Sequence, residues 1–259
     1  MPAADPTQRF SSRVDDYIRS RPGYPSGVLE ILRQDCGLTQ AWIIADVGSG
    51  TGLLSRVFLE NGNQVFGIEP NLEMRQAGER LMSGFKNFTS IEGTAEATTL
   101  PRQRVDLVVA GQAAHWFHRD RARREFARIL RPPRWVVLMW NERKTDSTPF
   151  LREYENLLLK YGTDYQEVRH ERTTEEIGGF FAPSPFRSST LANHQDFDYP
   201  GMEGRLLSSS YTPQAGDGRF QPMLKELRRI FDRYQENGTV RLEYETRMYY
   251  GQAAIIIST

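Results

Sequence analysis

Cysteine is nearly absent from this chain: its 259 residues include only Cys36. One thiol excludes an intramolecular disulfide and any cysteine-based metal site. Lysine is almost as scarce, with Lys86, Lys144, Lys160 and Lys225 alone, so arginine supplies most of the positive charge. No excess of either sign exists, since 33 basic residues face 33 acidic ones. That balance leaves no electrostatic footprint for nucleic acid or an anionic membrane, and neither is expected as a partner. No apolar run approaches the length of a membrane span. The opening Met-Pro-Ala-Ala-Asp-Pro lacks the charged-then-apolar pattern of a secretion signal, so a cytosolic protein is expected. His118, His170 and His194 show no metal-ligand spacing, and no metal is implied. What is present, 39% hydrophobic and 25% charged residues, describes an ordinary globular protein. The length allows one elaborated α/β domain, or one domain with a small second one.

The most informative stretch is Asp46-Val47-Gly48-Ser49-Gly50-Thr51-Gly52. An apolar run, Trp42 to Ala45, precedes it, and a helix-forming segment, Leu53 to Glu60, follows. Strand, glycine-rich turn and helix in that order make a nucleotide-type cofactor loop. Glycine lets the backbone turn sharply and approach a ligand with no Cβ in the way. The dinucleotide fingerprint wants its third glycine one residue later, where this chain has Leu53. Glu69 closes the next apolar run, Gln64 to Ile68, 19 residues after Gly50. A carboxylate at the end of a second strand is well placed to accept hydrogen bonds from both hydroxyls of a ribose. Glycine loops also join strands to helices for structural reasons alone. Loop, acid and spacing together point to a cofactor site.

Patterning organises the rest. Phe10, Val14, Tyr17 and Ile18 stand at helical spacing within 7–20, and Arg21 to Pro25 breaks that helix. Ser26 is the expected cap of a second helix running through Cys36. Strands and helices then alternate: strand 42–47, helix 52–61, strand 64–69, helix 71–83, strand 88–92, strand 104–110, helix 118–131 and strand 134–141. Apolar strands separated by helices predict a parallel sheet buried on both faces. Gly62 and Asn63 end one helix as a left-handed cap, and Pro132-Pro133 stops another. Beyond Trp140 the rhythm changes. A helix is predicted over 149–160, a polar irregular stretch over 161–185, and a strand from Phe186 to Phe197. Tyr199 to Gly218 reads as irregular with a helical part. A helix over 219–236 and an alternating strand over 240–249 complete the chain.

The chain resembles the class I S-adenosylmethionine (SAM) dependent methyltransferases, in the branch acting on small molecules. The residues that carry the resemblance are 46–52, Gly-Ile-Glu-Pro-Asn at 67–71, Gly-Thr-Ala-Glu at 93–96, Leu100-Pro101, and Val105 to Ala110 followed by His115-Trp116-Phe117. They cover about residues 40 to 141. Arg21-Pro22-Gly23-Tyr24-Pro25 is loosely similar to bacterial and fungal enzymes related to trans-aconitate methyltransferase. The resemblance implies a Rossmann-like α/β fold: a mostly parallel seven-stranded sheet with an antiparallel edge hairpin and a helical cap. A single methyltransferase domain is then expected over 1–259. It comprises an N-terminal helical lid at 1–40, a SAM-binding core at 41–141, and cap insertions with the final strands at 142–259.

Methyl transfer from a sulfonium is an in-line displacement whose electrophile comes with the cofactor, so the protein mainly positions and excludes water. The resemblance places Asp46 at the cofactor's ammonium, although it can instead buttress the loop. Gly48, Ser49, Gly50, Thr51 and Gly52 would line the cofactor, and Glu69 would grip the ribose. Pro70 and Met74 would pack on adenine, with Met74 equally suited to a helix core. Thr94 and Ala95 stand where many relatives carry an aspartate for the adenine amino group; Glu96 follows, facing either the site or solvent. Gln112 would line the sulfonium through its backbone. His115 is the candidate general base if the acceptor must lose a proton, against a bland reading as a packing partner of Trp116. Trp116 would form an acceptor wall. Tyr17, Arg21 and Tyr24 would close over the site, Arg21 pairing with a carboxylate. Tyr211 would reach the acceptor. Arg143, Arg187 and Arg205 are further anion anchors, for which surface placement is expected. The function implied is SAM-dependent methylation of a small organic molecule; a carboxylic acid would suit an arginine anchor. Two rivals are a catalytically silent SAM-binding regulator and, disfavoured by Leu53, an NAD-dependent dehydrogenase.

Overall fold

Neighbouring residues of the central strands point to opposite sides of the sheet, and both sides are apolar. Ile44, Val65, Leu107 and Val109 face one layer of helices, while Ala45, Phe66, Val108 and Ala110 face the other. The computed structural model describes residues 20–163, 165, 174–209 and 211–254. In chain order its elements are α1 (Gly27–Cys36), β1 (Ile43–Val47), α2 (Leu53–Glu60), β2 (Gln64–Ile68), α3 (Leu72–Leu81), β3 (Phe88–Ile91) and β4 (Val105–Gly111). A 3₁₀ turn (Ala114–Trp116), α4 (Arg119–Ile129), β5 (Leu130–Arg143), α5 (Pro149–Tyr161) and α6 (Thr174–Phe181) follow. The chain then forms β6 (Phe186–Phe197), α7 (Tyr199–Leu207), α8 (Phe220–Tyr234) and β7 (Val240–Gln252).

The seven strands lie in the order β3-β2-β1-β4-β5-β7-β6. The first five pair in parallel. Strand β7 is antiparallel to both neighbours, as the resemblance implies. Strand order reverses between β1 and β4, and the carboxyl ends on either side of that switch form the ligand-bearing rim of such a sheet. A third apolar cluster joins α5, α7 and α8 to the outer ends of β6 and β7 through Tyr154, Met202, Leu227 and Leu242. It forms the core of the cap.

Local signals account for most boundaries. Helix α2 ends in a Schellman motif: the Gly62 amide donates to Leu59 at 2.9 Å and the Asn63 amide to Phe58 at 3.0 Å, with Gly62 at φ 98. Three features depart from expectation, and a fourth expectation lies outside the described residues. Ser26 occupies the N-cap position of α1 but makes no side-chain cap hydrogen bond, because its backbone is already helical. Pro132-Pro133 does not stop α4, which ends at Ile129; the two prolines lie inside β5. Residues 174–181 form a helix despite Gly178-Gly179, because Ile177 and Phe181 bury against the sheet. The helix expected over 7–20 falls almost wholly outside the described residues.

Asn63 fixes the entry to β1. Fully buried, it donates to the Thr39 and Trp42 carbonyls at 2.8 and 2.9 Å and accepts from Asn61 at 2.7 Å. Truncation strands those buried carbonyls. Asn63→Ala is therefore expected to lower unfolding stability by about 2–3 kcal/mol, measured by urea denaturation.

Candidate functional site

Sequence makes a bend at the end of β1 and a carboxylate at the end of β2; the structure joins them. Amides of Gly48 and Ser49 donate to the Ile68 carbonyl at 2.9 and 3.1 Å. The Gly50 amide donates to Glu69 Oε2 at 2.9 Å, and the Asn71 amide to Glu69 Oε1 at 2.9 Å. Gly48 and Gly50 both take left-handed backbone, at φ 68 and 54. A Cβ on Gly48 would stand 2.6 Å from the Ala113 methyl carbon, so no other residue fits this crossing without displacement. Glu69 is 9% exposed. Burial raises its pKa, with the Asn71 and Gly50 amides and Arg75 opposing.

Asp46 lies one residue before the end of β1, beside Gly67, and is 1% exposed. Ser55 on α2 donates its hydroxyl to Oδ2 at 2.6 Å. Oδ1 has no partner, and neither has the buried Thr51 Oγ1. Burial pushes the Asp46 carboxyl up to about 7; Ser55 opposes the shift and the Glu69 charge adds to it. A buried carboxylate oxygen that no protein group satisfies, beside a glycine bend, is a site where a bound ligand's donor fits. A cation donor suits it.

Strand β4 delivers the other side of the rim. Gln112 takes φ 57, an uncommon conformation for a residue with a side chain. Its side-chain amide donates to the Asn141 carbonyl at 3.0 Å, bracing β5 and leaving its backbone at the rim. The next turn presents His115 and Trp116, whose rings lie 4.6 Å apart, with Trp116 42% exposed. Phe117 turns inward onto Phe126 and Phe180. Tyr24 crosses to the same edge, its hydroxyl 2.3 Å from where a Gly111 Cβ would be. Asn141 and Asn193 donate to the Gly23 carbonyl at 3.1 and 2.8 Å and hold that crossing in place.

Other sequence-selected residues are placed as follows. Met74 is buried, its methyl 3.2 Å from where a Gly50 Cβ would be, and Pro70 is half-buried beside Glu69. Thr94 is exposed and Ala95 buried in a tight turn closed by Thr94–Ala97 hydrogen bonds. Glu96 accepts from the His118 amide at 2.6 Å, so its carboxylate serves the start of α4 rather than solvent. Arg21 is half-buried at the start of the Tyr24 crossing. Tyr211 lies in the cap with its ring 4.8 Å from Tyr165. Tyr17 lies outside the described residues. Surface placement holds for Arg187, which pairs with Asp35, and fails for Arg143 and Arg205, both buried in the cap. Sequence reasoning missed Ser55, Asn71, Phe117 and Asn141; only Asn71, a capping residue type directly after Glu69-Pro70, carried a local signal.

Among the described residues no helix is long and apolar enough to cross a membrane, and no His, Cys, Asp and Glu group could hold a metal ion. Residues 45–138 match the model of the methyltransferase domain family. The chain is 32% identical over 191 residues to an uncharacterized methyltransferase of Mycobacterium tuberculosis, covering 74% of this chain and 70% of that one. It is 25% identical over 254 residues to a methyltransferase-like protein of Schizosaccharomyces pombe, covering 93% of each. The solved structure of a putative type II methyltransferase from Anaeromyxobacter dehalogenans superposes with a TM-score of 0.67 at 22% identity, over 90% of this chain and 98% of that one. Rim, sheet order and relatives agree: the chain belongs to the class I SAM-dependent methyltransferases and uses S-adenosylmethionine as its cofactor.

Proposed function

We propose that the glycine bend, Glu69 and the rim after β4 hold S-adenosylmethionine, and that its methyl group passes to a small organic acid recognised by residues 142–259. The observation that carries the cofactor assignment is the buried Asp46 oxygen with no partner, one strand away from the buried Glu69 carboxylate. Bound SAM supplies an electrophilic methyl carbon on a positive sulfur. The residues around it have three tasks. Asp46 Oδ1 accepts from the ammonium, and the Thr51 hydroxyl accepts from or donates to the amino-acid end. Glu69 turns its remaining lone pairs to the ribose hydroxyls while both its oxygens stay fixed by backbone amides. Met74, Pro70 and Ala95 close the adenine side, and the Gln112 backbone, Arg21 and Tyr24 border the reacting end, where crowding excludes water.

His115 and Trp116 stand on the acceptor side of that end. Exposure of a tryptophan at a rim supports a wall for acceptor rather than a core role. An acceptor oxygen that is already ionised needs no proton removed, and His115 then orients rather than deprotonates; a hydroxyl or carbon acid would make it the base. The buried Arg205 of the cap supports an acid as substrate. Transfer of labelled methyl from SAM across a panel of small acids, alcohols and amines tests the function. Labelling of none of the panel, with SAM still bound, would favour the silent regulator.

Two measurements probe the cofactor assignment. Glu69→Ala is expected to weaken S-adenosylhomocysteine binding by at least about 1 kcal/mol, the scale of hydrogen bonds to a charged group; calorimetric titration checks it, with NAD as the control ligand. The second concerns Asp46. Its carboxyl titrates near 7 in the free protein against 3.8 ordinarily, so the ionised form opposes folding increasingly as pH rises through that window. An ammonium partner favours the ionised form and lowers that pKa. S-adenosylhomocysteine affinity of the wild type, relative to Asp46→Asn, is therefore expected to rise about tenfold between roughly pH 5.5 and 8. A flat ratio would remove Asp46 from the ligand's ammonium.

A further inference from the structure

The cap contains a charge that the described residues do not balance. Arg205 on α7 is 6% exposed. One of its terminal nitrogens donates to Ser209 Oγ at 3.0 Å, within the same helical turn. Its Nε has no partner, and none of its contacts among the described residues is a carboxylate. The neighbouring groups are phenols: Tyr244, Tyr211 and Tyr154. Burial works against the guanidinium charge, but the group stays a cation, as arginine does throughout the physiological range. Burial raises the Tyr154 phenol, which therefore stays neutral and cannot act as a counter-ion. An uncompensated buried cation is costly, and proteins retain such groups where a ligand completes them.

The second buried arginine shows what completion looks like. Arg143 donates to the Glu155 carboxylate and, at 2.9 Å, to the Tyr165 hydroxyl, which itself donates to Glu155 at 2.7 Å. That group is neutral as a whole. Among the described residues, Arg205 therefore leaves the cap interior one positive charge in excess.

Its position suits the substrate side. Tyr244 pairs with Arg143 at the far end of β5, two residues beyond Asn141 and past the rim. Helix α7 also meets the crossing segment: a Cβ on Gly204 would stand 4.0 Å from Ser20 Oγ, four residues before Tyr24. The free cation thus lies in the layer that covers the rim.

We propose that Arg205 is the anchor for the carboxylate of the acceptor, which it grips along its Nε edge between the phenols of Tyr154, Tyr211 and Tyr244. This rests on the function proposed above and narrows it to singly charged acids. One guanidinium balances one carboxylate. A phosphate monoester carries about −1.5 to −2 charges and would leave the same interior negative, since the Arg143–Glu155 group has nothing to give. The flat fork of arginine also matches the carboxylate edge.

The test titrates the full-length protein, with and without saturating S-adenosylhomocysteine, with benzoate and hexanoate against benzamide and hexanamide. At least one acid is expected to bind about tenfold or more tightly than its amide, the scale of a charge-assisted pair. Arg205→Met is expected to reduce that preference to below about twofold while S-adenosylhomocysteine affinity is unchanged. Equal binding of acids and amides by the wild type, or a preference that survives Arg205→Met, would overturn the assignment. Should Arg205→Met not fold, Arg205→Lys keeps the charge without the fork; a preference reduced at least threefold supports the anchor and an unreduced one overturns it. Phenyl phosphate binding more tightly than benzoate would overturn the choice of carboxylate. Loss of S-adenosylhomocysteine binding with the acid preference intact would instead count against the cofactor assignment alone.

Discussion

One buried carboxylate ties the ligand-bearing rim together. Glu69 receives the Gly50 amide on one oxygen and the Asn71 amide on the other. The Asn71 side chain in turn caps α3 by accepting from the Met74 amide at 2.8 Å. The end of β2, the bend after β1 and the start of α3 are therefore one body. Gly78 allows α3 to lie on that bend, with the Gly50 carbonyl 3.1 Å from where its Cβ would be. Hydrogen bonds to a charged group contribute about 1.5–3 kcal/mol each, and the desolvation of the carboxylate offsets several kcal/mol of that. The net effect on stability is small; the gain is a fixed shape.

That division between shape and stability explains what was legible in the sequence. Apolar runs such as Val105–Ala110 and Phe66–Ile68 interrupted by helices fixed β1 to β4 within a residue or two, because burial on both faces writes itself into consecutive positions. Strand β5 starts four residues before its expected run, and β7 ends three residues after its own. Asp46 and Glu69 stood out because each is a charge set at the end of an apolar strand, where only a site or a capping role tolerates it. The misses have a common cause: the deciding contact is distant in sequence. Gly178-Gly179 argues locally against a helix, and Phe181 stacked 5.2 Å from Phe186 overrides it. Glycines 201 and 204 made 199–207 look irregular, so Arg205 read as a surface residue; Met202 and Leu206 instead turn α7 into the cap core and take Arg205 with them. Phe117 was visible only as the tail of a His-Trp-Phe run, and nothing local says which of the three rings turns inward.

The two halves of the molecule solve the problem of burying charge in different ways. Below the rim, Asp46 and Glu69 are partly satisfied by a hydroxyl and by backbone amides, so both can stay buried with reduced pairing and still accept more. Above it, Arg143 is fully neutralised while Arg205, of the same residue type and in the same cluster, is not. Packing alone does not explain that contrast, because both side chains are buried in one apolar cap. An internal carboxylate for Arg205 would have stabilised the free fold. None is seen among the described residues, and this is the contrast on which the proposed anchor rests.

Residues 20–24 connect these two environments. Ser20 lies against α7, the Pro22 and Gly23 carbonyls accept from Asn141, and Tyr24 rests on Gly111 at the end of β4. Asn141 also accepts from Thr246 of β7, so the segment is fastened to the antiparallel part of the sheet, which carries Tyr244, and not to the glycine bend. The body organised by Glu69 is held by its own hydrogen bonds to the Gly50 and Asn71 amides. Separate sets of hydrogen bonds thus hold the cover at residues 20–24 and the body organised by Glu69, so each keeps its place without the other, and an in-line transfer needs both placed at once.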